Sequence, residues 1–425
     1  MPAHREWPSK RAPMKLVGIE RKHAGGVVRL SGWVERKPGA PPDELYFSFP
    51  ERFAALVAAD AEPFAATLLV AAMAESEALV IDAPVSQRLL RQFPRLQEVL
   101  ASWYSDSLRI VPVQTAGHVG ARRAPTGLTG SFFSLGVDSS HTMLRHEEDR
   151  PGRERITHLI HMTGIEAELR IGGDARVAPV IERLERVARH YGKTLVTGET
   201  NLRDWFGPGW GAFYHGSALA AAALSLGGGL DRVLIPSGVP LRGIMPRPTS
   251  PLHDHLWSSD DLEIAHDGEA TDRARKLADT IVHHPEVLNA LRVCNKYFGG
   301  LGNCGACHKC VRTMITLEIL GVLRDSPVFP RELPRDFWRY FPQKPAGVLF
   351  EEENLRLARE RGAAPWLIAG LERAVRLGNL EEQRQHEGTG RFVLGLLQLV
   401  WERGYGDALQ RSRRKRRKRA AARSA

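Results

Sequence analysis

Between Thr129 and Ser237 the chain alternates short apolar runs with longer amphipathic ones, and this rhythm constrains the fold more than any other feature. Residues 130–133 read as a strand, with a helix following from Asp138. Residues 156–162 form a second strand, leading to an amphipathic helix over 174–190. Residues 194–197 form a third, with a helix over 214–226, and residues 232–235 a fourth. Strands separated by helices build right-handed βαβ units and a parallel sheet. Ligands of such sheets sit beyond the carboxyl ends of the strands. Here those ends are 134–139, Thr163 with Gly164, 198–203 (opening on Gly198) and 236–238, all small, polar and glycine-containing.

The flanks are less regular. Residues 15–19, 26–34, 45–49, 79–81 and 108–113 read as strands, and 63–75 and 86–103 as helices, the second interrupted at Pro94. This predicts an N-terminal α+β domain over 14–120, after a loose arm at 1–13. Beyond Pro246 helices are expected over 269–284, 311–323 and 351–402, the last broken near Gly362 and at 388–390. The expected divisions are a nucleotide-type domain over 125–325, a helical region over 326–408 and a basic tail over 409–425.

With 425 residues, 43% apolar and 25% charged, the chain has ample material for a core, which excludes a mostly disordered or collagen-like protein. Four cysteines are too few for a disulfide scaffold. The start of the chain has no apolar signal core. The uncharged stretch 205–230 contains Pro208, His215 and seven glycines, and reads as a turn and a buried helix rather than a membrane span. A soluble, cytoplasmic protein is expected, with no membrane partner. The formal charge is +10, but nine cations fall in the last 15 residues, leaving the rest at +1. Such a tail self-repels and should be disordered. It either grips nucleic acid through phosphates or is a solvated extension.

Two clusters carry chemistry. The first is Ser134-Leu135-Gly136-Val137-Asp138-Ser139, between a strand and a helix. Small and hydroxylated residues let backbone N–H groups and serine oxygens wrap an anion, and the helix N-terminus points its free N–H groups at the same place. Asp138 can cap that helix or hold Mg²⁺. The plain alternative is a serine-rich capped turn. Gly192-Lys193-Thr194 is no Walker loop, because Val187 stands where its first glycine belongs and the segment runs from helix to strand.

The second cluster holds every cysteine: Cys294, Cys304, Cys307 and Cys310, spaced C-x9-C-x2-C-x2-C among Gly299, Gly300, Gly302 and Gly305. Four thiolates suit a closed, structural Zn²⁺ site. An iron–sulfur cluster is the rival, since C-x2-C-x2-C also serves ferredoxins. His308 is redundant as a ligand and is expected to be exposed.

The first run resembles the PP-loop of the ATP pyrophosphatases, S-G-G-x-D-S, and departs from it at Leu135, where glycine would permit a positive φ. Together with the four cysteines it resembles the cyano-deazaguanine synthases of queuosine biosynthesis and their anti-phage-defence relatives, over about residues 129–320. The resemblance implies a HUP-like doubly wound parallel sheet and an adenylating ligase that converts ATP to AMP and pyrophosphate. A carboxylate or amide of a small molecule, nucleobase or protein would be activated for attack by a nitrogen nucleophile. ATP, Mg²⁺ and Zn²⁺ are the implied cofactors. Ser134, Leu135, Gly136, Val137, Asp138, Ser139, Thr163 and Gly198 would bind the nucleotide.

Asp138, Ser139, Arg203 and His215 are the catalytic candidates: Arg203 to bind a carboxylate or phosphate, His215 to shuttle a proton. Asn201 could orient substrate, and Glu199 could serve Mg²⁺ or act as a base. The run His253-Asp254-His255 could close over the crevice but reads more simply as a polar surface turn, and Asp267 as a helix N-cap, while Arg292 and Arg312 balance the thiolate charge. The alternative functions are an RNA-modifying PP-loop enzyme and a degenerate zinc-containing nucleic-acid binder. A homodimer is kept open.

Overall fold

The computed structural model describes residues 12–147, 155–165, 174–207, 210–294, 302–341 and 348–387. The arm up to residue 11, Pro208, Gly299, Gly300 and the basic tail lie outside these residues. The chain divides into two compact units, residues 1–302 and 303–425.

The first unit is built on one ten-stranded sheet. Its strands are β1 (Met14–Ala24), β2 (Val27–Glu35), β3 (Asp43–Pro50), β4 (Leu79–Ser86), β5 (Val113–Val119), β6 (Thr129–Phe132), β7 (His158–Thr163), β8 (Thr194–Thr200), β9 (Arg232–Pro236) and β10 (Glu263–Asp267). They lie in the order β10-β9-β6-β7-β8-β3-β2-β1-β4-β5. From β10 to β8 every pairing is parallel. The chain leaves β6 toward β7 on one side and later crosses to β9 on the other. That reversal opens a crevice at the carboxyl ends of β6 and β9, where doubly wound sheets bind ligands.

The strands of the N-terminal segment extend this same sheet. β3 pairs antiparallel with β8 (Phe47 opposite Thr200, Ser48 opposite Glu199), and β2 and β1 continue antiparallel. The helices Glu62–Glu75 and His215–Leu224 pack together. Both are rich in alanine and buried around almost their whole circumference, as helices without a polar face must be. One apolar core therefore runs from Phe47 and Phe64 to Ile160 and Val233. The division at Gly302, rather than near 120, reflects that continuity.

Several local expectations change. Residues 108–112 are not a strand, and the strand begins at Val113. The helix Gln87–Trp103 runs through Pro94 unbroken. Regular helix in the region expected over 269–284 begins only at Arg273, after the unforeseen strand β10.

The second unit contains the helices His308–Ile319, Val348–Glu360 and Pro365–Glu387. The last two meet at the turn around Gly362, whose φ of 62° explains the break. Asn354 ties the first pair together: its Oδ1 accepts from Thr316 Oγ1 at 2.7 Å and its Nδ2 donates to the Arg312 carbonyl at 3.3 Å. Among the described residues no helix is long and apolar enough to cross a membrane.

Candidate active site and metal centre

Strand β6 ends in a tight loop that leads into the helix Val137–Arg145. Leu135 takes a φ of 60°, the left-handed region that glycine enters freely and leucine only at a cost. Its side chain is fully buried and is not among the residues that line the neighbouring cavity. The backbone therefore keeps the shape a glycine would give. The aliphatic group is spent on packing and does not block the opening.

The serines brace the loop. Ser139 Oγ accepts from the Ser134 amide at 3.2 Å and lies 3.3 Å from Ser134 Oγ, which in turn faces the Gly136 amide at 3.4 Å. Gly136 is the extended N-cap of the helix, and Val137 is buried in its first turn. Beside the loop lies a cavity of about 210 Å³. Ser134, Gly136, Asp138, Ser139 and His215 form its polar wall, and Phe132, Ile160, Met162 and Leu219 its apolar one. Loop and helix N-terminus thus border a pocket lined by both polar and apolar side chains.

Asp138 is held by two cations that the sequence reading missed. Arg273 forms an ion pair with its Oδ2, and Lys276 Nζ lies 3.4 Å from its Oδ1. Lys276 is almost wholly buried and also donates to the Ser237 carbonyl at 2.6 Å. Two cations thus converge on one carboxylate beside the loop. The signal in the sequence was the i, i+3 spacing of Arg273 and Lys276 after a fifth strand, and that strand went unread. Within the helix, His141 is buried, and burial together with the Lys276 and Arg145 charges pulls its pKa down to about 4.

Other candidates fall elsewhere. Arg203 donates to the Ile165 carbonyl at 3.1 Å and stacks over Trp210. Thr163 sits in register with Glu199 at the end of β7. Gly198 leaves room for the Phe49 ring of β3 and the Met162 sulfur of β7. Glu199 accepts a hydrogen bond from Tyr46 Oη at 2.7 Å, and Asn201 bonds the Tyr46 amide and the Glu44 carbonyl at 3.0 and 2.7 Å. These two residues stitch β3 to β8 and do not reach the cavity.

Of the run at 253–255 only His255 is exposed, while His253 and Asp254 are fully buried. Asp267 ends β10 and receives His146 Nε2 at 3.0 Å, while Asp272 holds the N-cap position. Arg292 touches the loop through its backbone, donating its amide to the Leu135 carbonyl at 2.8 Å.

The four cysteine sulfurs lie within 4.8 Å of one another. Two separations, Cys307 to Cys310 at 3.4 Å and Cys304 to Cys310 at 3.8 Å, approach the edge of ~3.8 Å expected of a tetrahedron with metal–sulfur bonds of about 2.3 Å. Cys307 caps the helix His308–Ile319 and accepts from the Cys310 amide, and the Ala306 amide points at Cys304. The group can hold a metal such as zinc. His308 is half-buried at the start of that helix, and the sulfur group does not include it. Comparison with known proteins finds no matching family model, curated protein or solved structure.

Proposed function

We propose that the protein is an ATP-dependent, AMP-forming ligase of the PP-loop kind. It would adenylate a carboxylate or amide and hand it to a nitrogen nucleophile. The observation that carries this reading is the Ser134–Ser139 loop at the sheet's reversal point, keeping a glycine-like backbone at Leu135 and opening on a cavity. The amides of the loop and of the first helical turn would receive the β- and γ-phosphates, with Ser134 and Ser139 adding hydroxyl donors. Arg273 and Lys276 would neutralise the charge that grows on the departing pyrophosphate. The apolar wall of Phe132, Ile160 and Met162 suits a purine ring.

Mg²⁺, if it binds, supplies further neutralisation across the phosphates. Asp138 is the carboxylate placed to meet it, and its two cations would then transfer to the phosphates. Zn²⁺ in the cysteine group would be structural, since four protein ligands leave no open position.

Incubation with ATP, ammonium and a panel of carboxylic acids, followed by product analysis, tests the reading. AMP and pyrophosphate are the expected products. ADP and phosphate would refute it.

A further inference from the structure

β3 and β8 join the two halves of the sheet through a short ladder. Phe47 pairs with Thr200 and Ser48 with Glu199, whereas β7 stays paired with β8 down to Thr194. Past the ladder β3 ends at Pro50 and the chain enters the tight helical turn Glu51–Leu56. From Thr194 to Gly198, β8 therefore has no strand partner on that side among the described residues. A cavity of about 430 Å³ opens there, bordered by the turn after β3, the start of β8 and the last turns of the helix Asp174–His190. It sits at the amino end of β8, whereas the Ser134–Ser139 loop follows the carboxyl end of β6. The two cavities share no lining residue.

The lining divides by exposure. Phe53, Ala188 and Leu195 are apolar and buried. Arg52, Arg189 and Thr194 are open to solvent. The Arg52 guanidinium stacks over the Phe53 ring, 4.7 Å from its centroid, and Arg189 Nε donates to the Glu185 carbonyl at 3.4 Å. Each arginine is thus held at one point, and neither meets a carboxylate among the described residues. Lys193, the third cation, is already neutralised: its Nζ lies 2.6 Å from Glu147 Oε1 and donates to the Ile156 carbonyl at 2.7 Å. Glu185 is the one acid of the lining. Two open guanidiniums against one carboxylate favour an anion, and a guanidinium pairs best with a carboxylate or phosphate. The volume falls in the range of small-molecule sites, roughly 300–1,000 Å³.

We propose that this cavity is a second small-molecule site, which takes an amphipathic oxyanion. An aromatic or aliphatic body would lie against Phe53, Ala188 and Leu195, and Arg52, Arg189 and the Thr194 hydroxyl would donate to its anionic head. Arg52 belongs to the N-terminal segment, and Arg189 and Thr194 to the parallel half. Such a ligand would fasten the two where their strand ladder gives out. The inference does not depend on the adenylation reading. A carboxylate and a phosphate ester are the two sources of the head group, and the test separates them.

Naphthoate, naphthyl phosphate and the neutral naphthamide serve as probes, titrated into the full chain and followed by calorimetry. Wild type should bind at least one of the anions about tenfold more tightly than naphthamide. Preference for naphthoate assigns the head group as a carboxylate, and preference for naphthyl phosphate as a phosphate ester. Arg52→Gln and Arg189→Gln should each weaken the preferred anion about fivefold or more, and Thr194→Glu, which sets a carboxylate beside the head group, should weaken it further. Glu185→Gln should tighten it, a gain that no folding defect would produce. Melting temperatures close to wild type certify the fold of the other three. Anion binding that is absent from wild type, or equal in wild type and both arginine variants, overturns the proposal. Naphthamide binding as tight as that of the anions also overturns it, as does weaker binding in Glu185→Gln.

Discussion

The Arg292 amide donates to the Leu135 carbonyl at 2.8 Å, so the segment that delivers Cys294 is fastened to the one residue of the loop with a positive φ. A metal at the cysteines would thereby steady the loop through two residues of backbone. Protein made in zinc-supplemented medium should carry about one zinc per chain by mass spectrometry, and Cys294→Ser should lose it. Exchange of the Arg292 amide should then accelerate roughly tenfold or more, as local opening becomes easier. Zinc content and exchange that both survive the substitution would break this link. A brown protein with bound iron would replace zinc by a cluster.

Leu135 makes a prediction about backbone strain. Leu→Ala at a fully buried position costs about 2–5 kcal/mol, and Leu135 is fully buried. Glycine normally costs up to about 1 kcal/mol more than alanine. At a φ of 60° the order should reverse, because only glycine escapes the strain. Urea denaturation should find Leu135→Gly at least as stable as Leu135→Ala, and both below wild type.

His141 sets an acid limit. Its pKa is pulled to about 4 from an ordinary 6.5, so the folded protein keeps it neutral while the unfolded chain protonates it. The stability it contributes is present above pH 6.5 and is lost as pH falls toward 4, at about 1.4 kcal/mol per unit. His141→Gln should flatten the stability profile over that window. An unchanged slope would contradict the assignment.

Glu351, in the second unit, works in the opposite direction. Burial pushes its carboxyl up to about 8 from an ordinary 4.5, so the folded form holds a proton that the unfolded chain releases. Stability of the helical unit therefore falls as pH rises from 4.5 to 8. Glu351→Gln should raise the melting temperature at pH 7.5 and leave it nearly unchanged at pH 4.5.

The parallel half of the sheet, the loop and the cysteine group were legible because each is local. βα alternation, a six-residue run and a short spacing all survive in one dimension. The continuous sheet was not legible. Its joint depends on Asn201 and Glu199 gripping Tyr46, more than 150 residues earlier in the chain, and no periodicity records such a contact. β10 was missed because Glu263, His266 and Asp267 dilute its apolar content, and with it went Arg273 and Lys276. Asn201 and Arg203 were assigned to substrate, Glu199 to Mg²⁺ or base chemistry and Gly198 to the nucleotide, because they lie at a strand end on the ligand side. Asn201 and Glu199 bond Tyr46 of β3, and Arg203 donates to the Ile165 carbonyl.

The central claim is that the Ser134–Ser139 loop cradles a polyphosphate. Calorimetric titration with α,β-methylene-ATP and Mg²⁺ tests it without a known co-substrate. Wild type should bind with a dissociation constant in the micromolar range, and Ser139→Ala and Asp138→Asn should each weaken binding at least tenfold with the fold intact. No binding to wild type, or equal binding in all three proteins, would contradict the account.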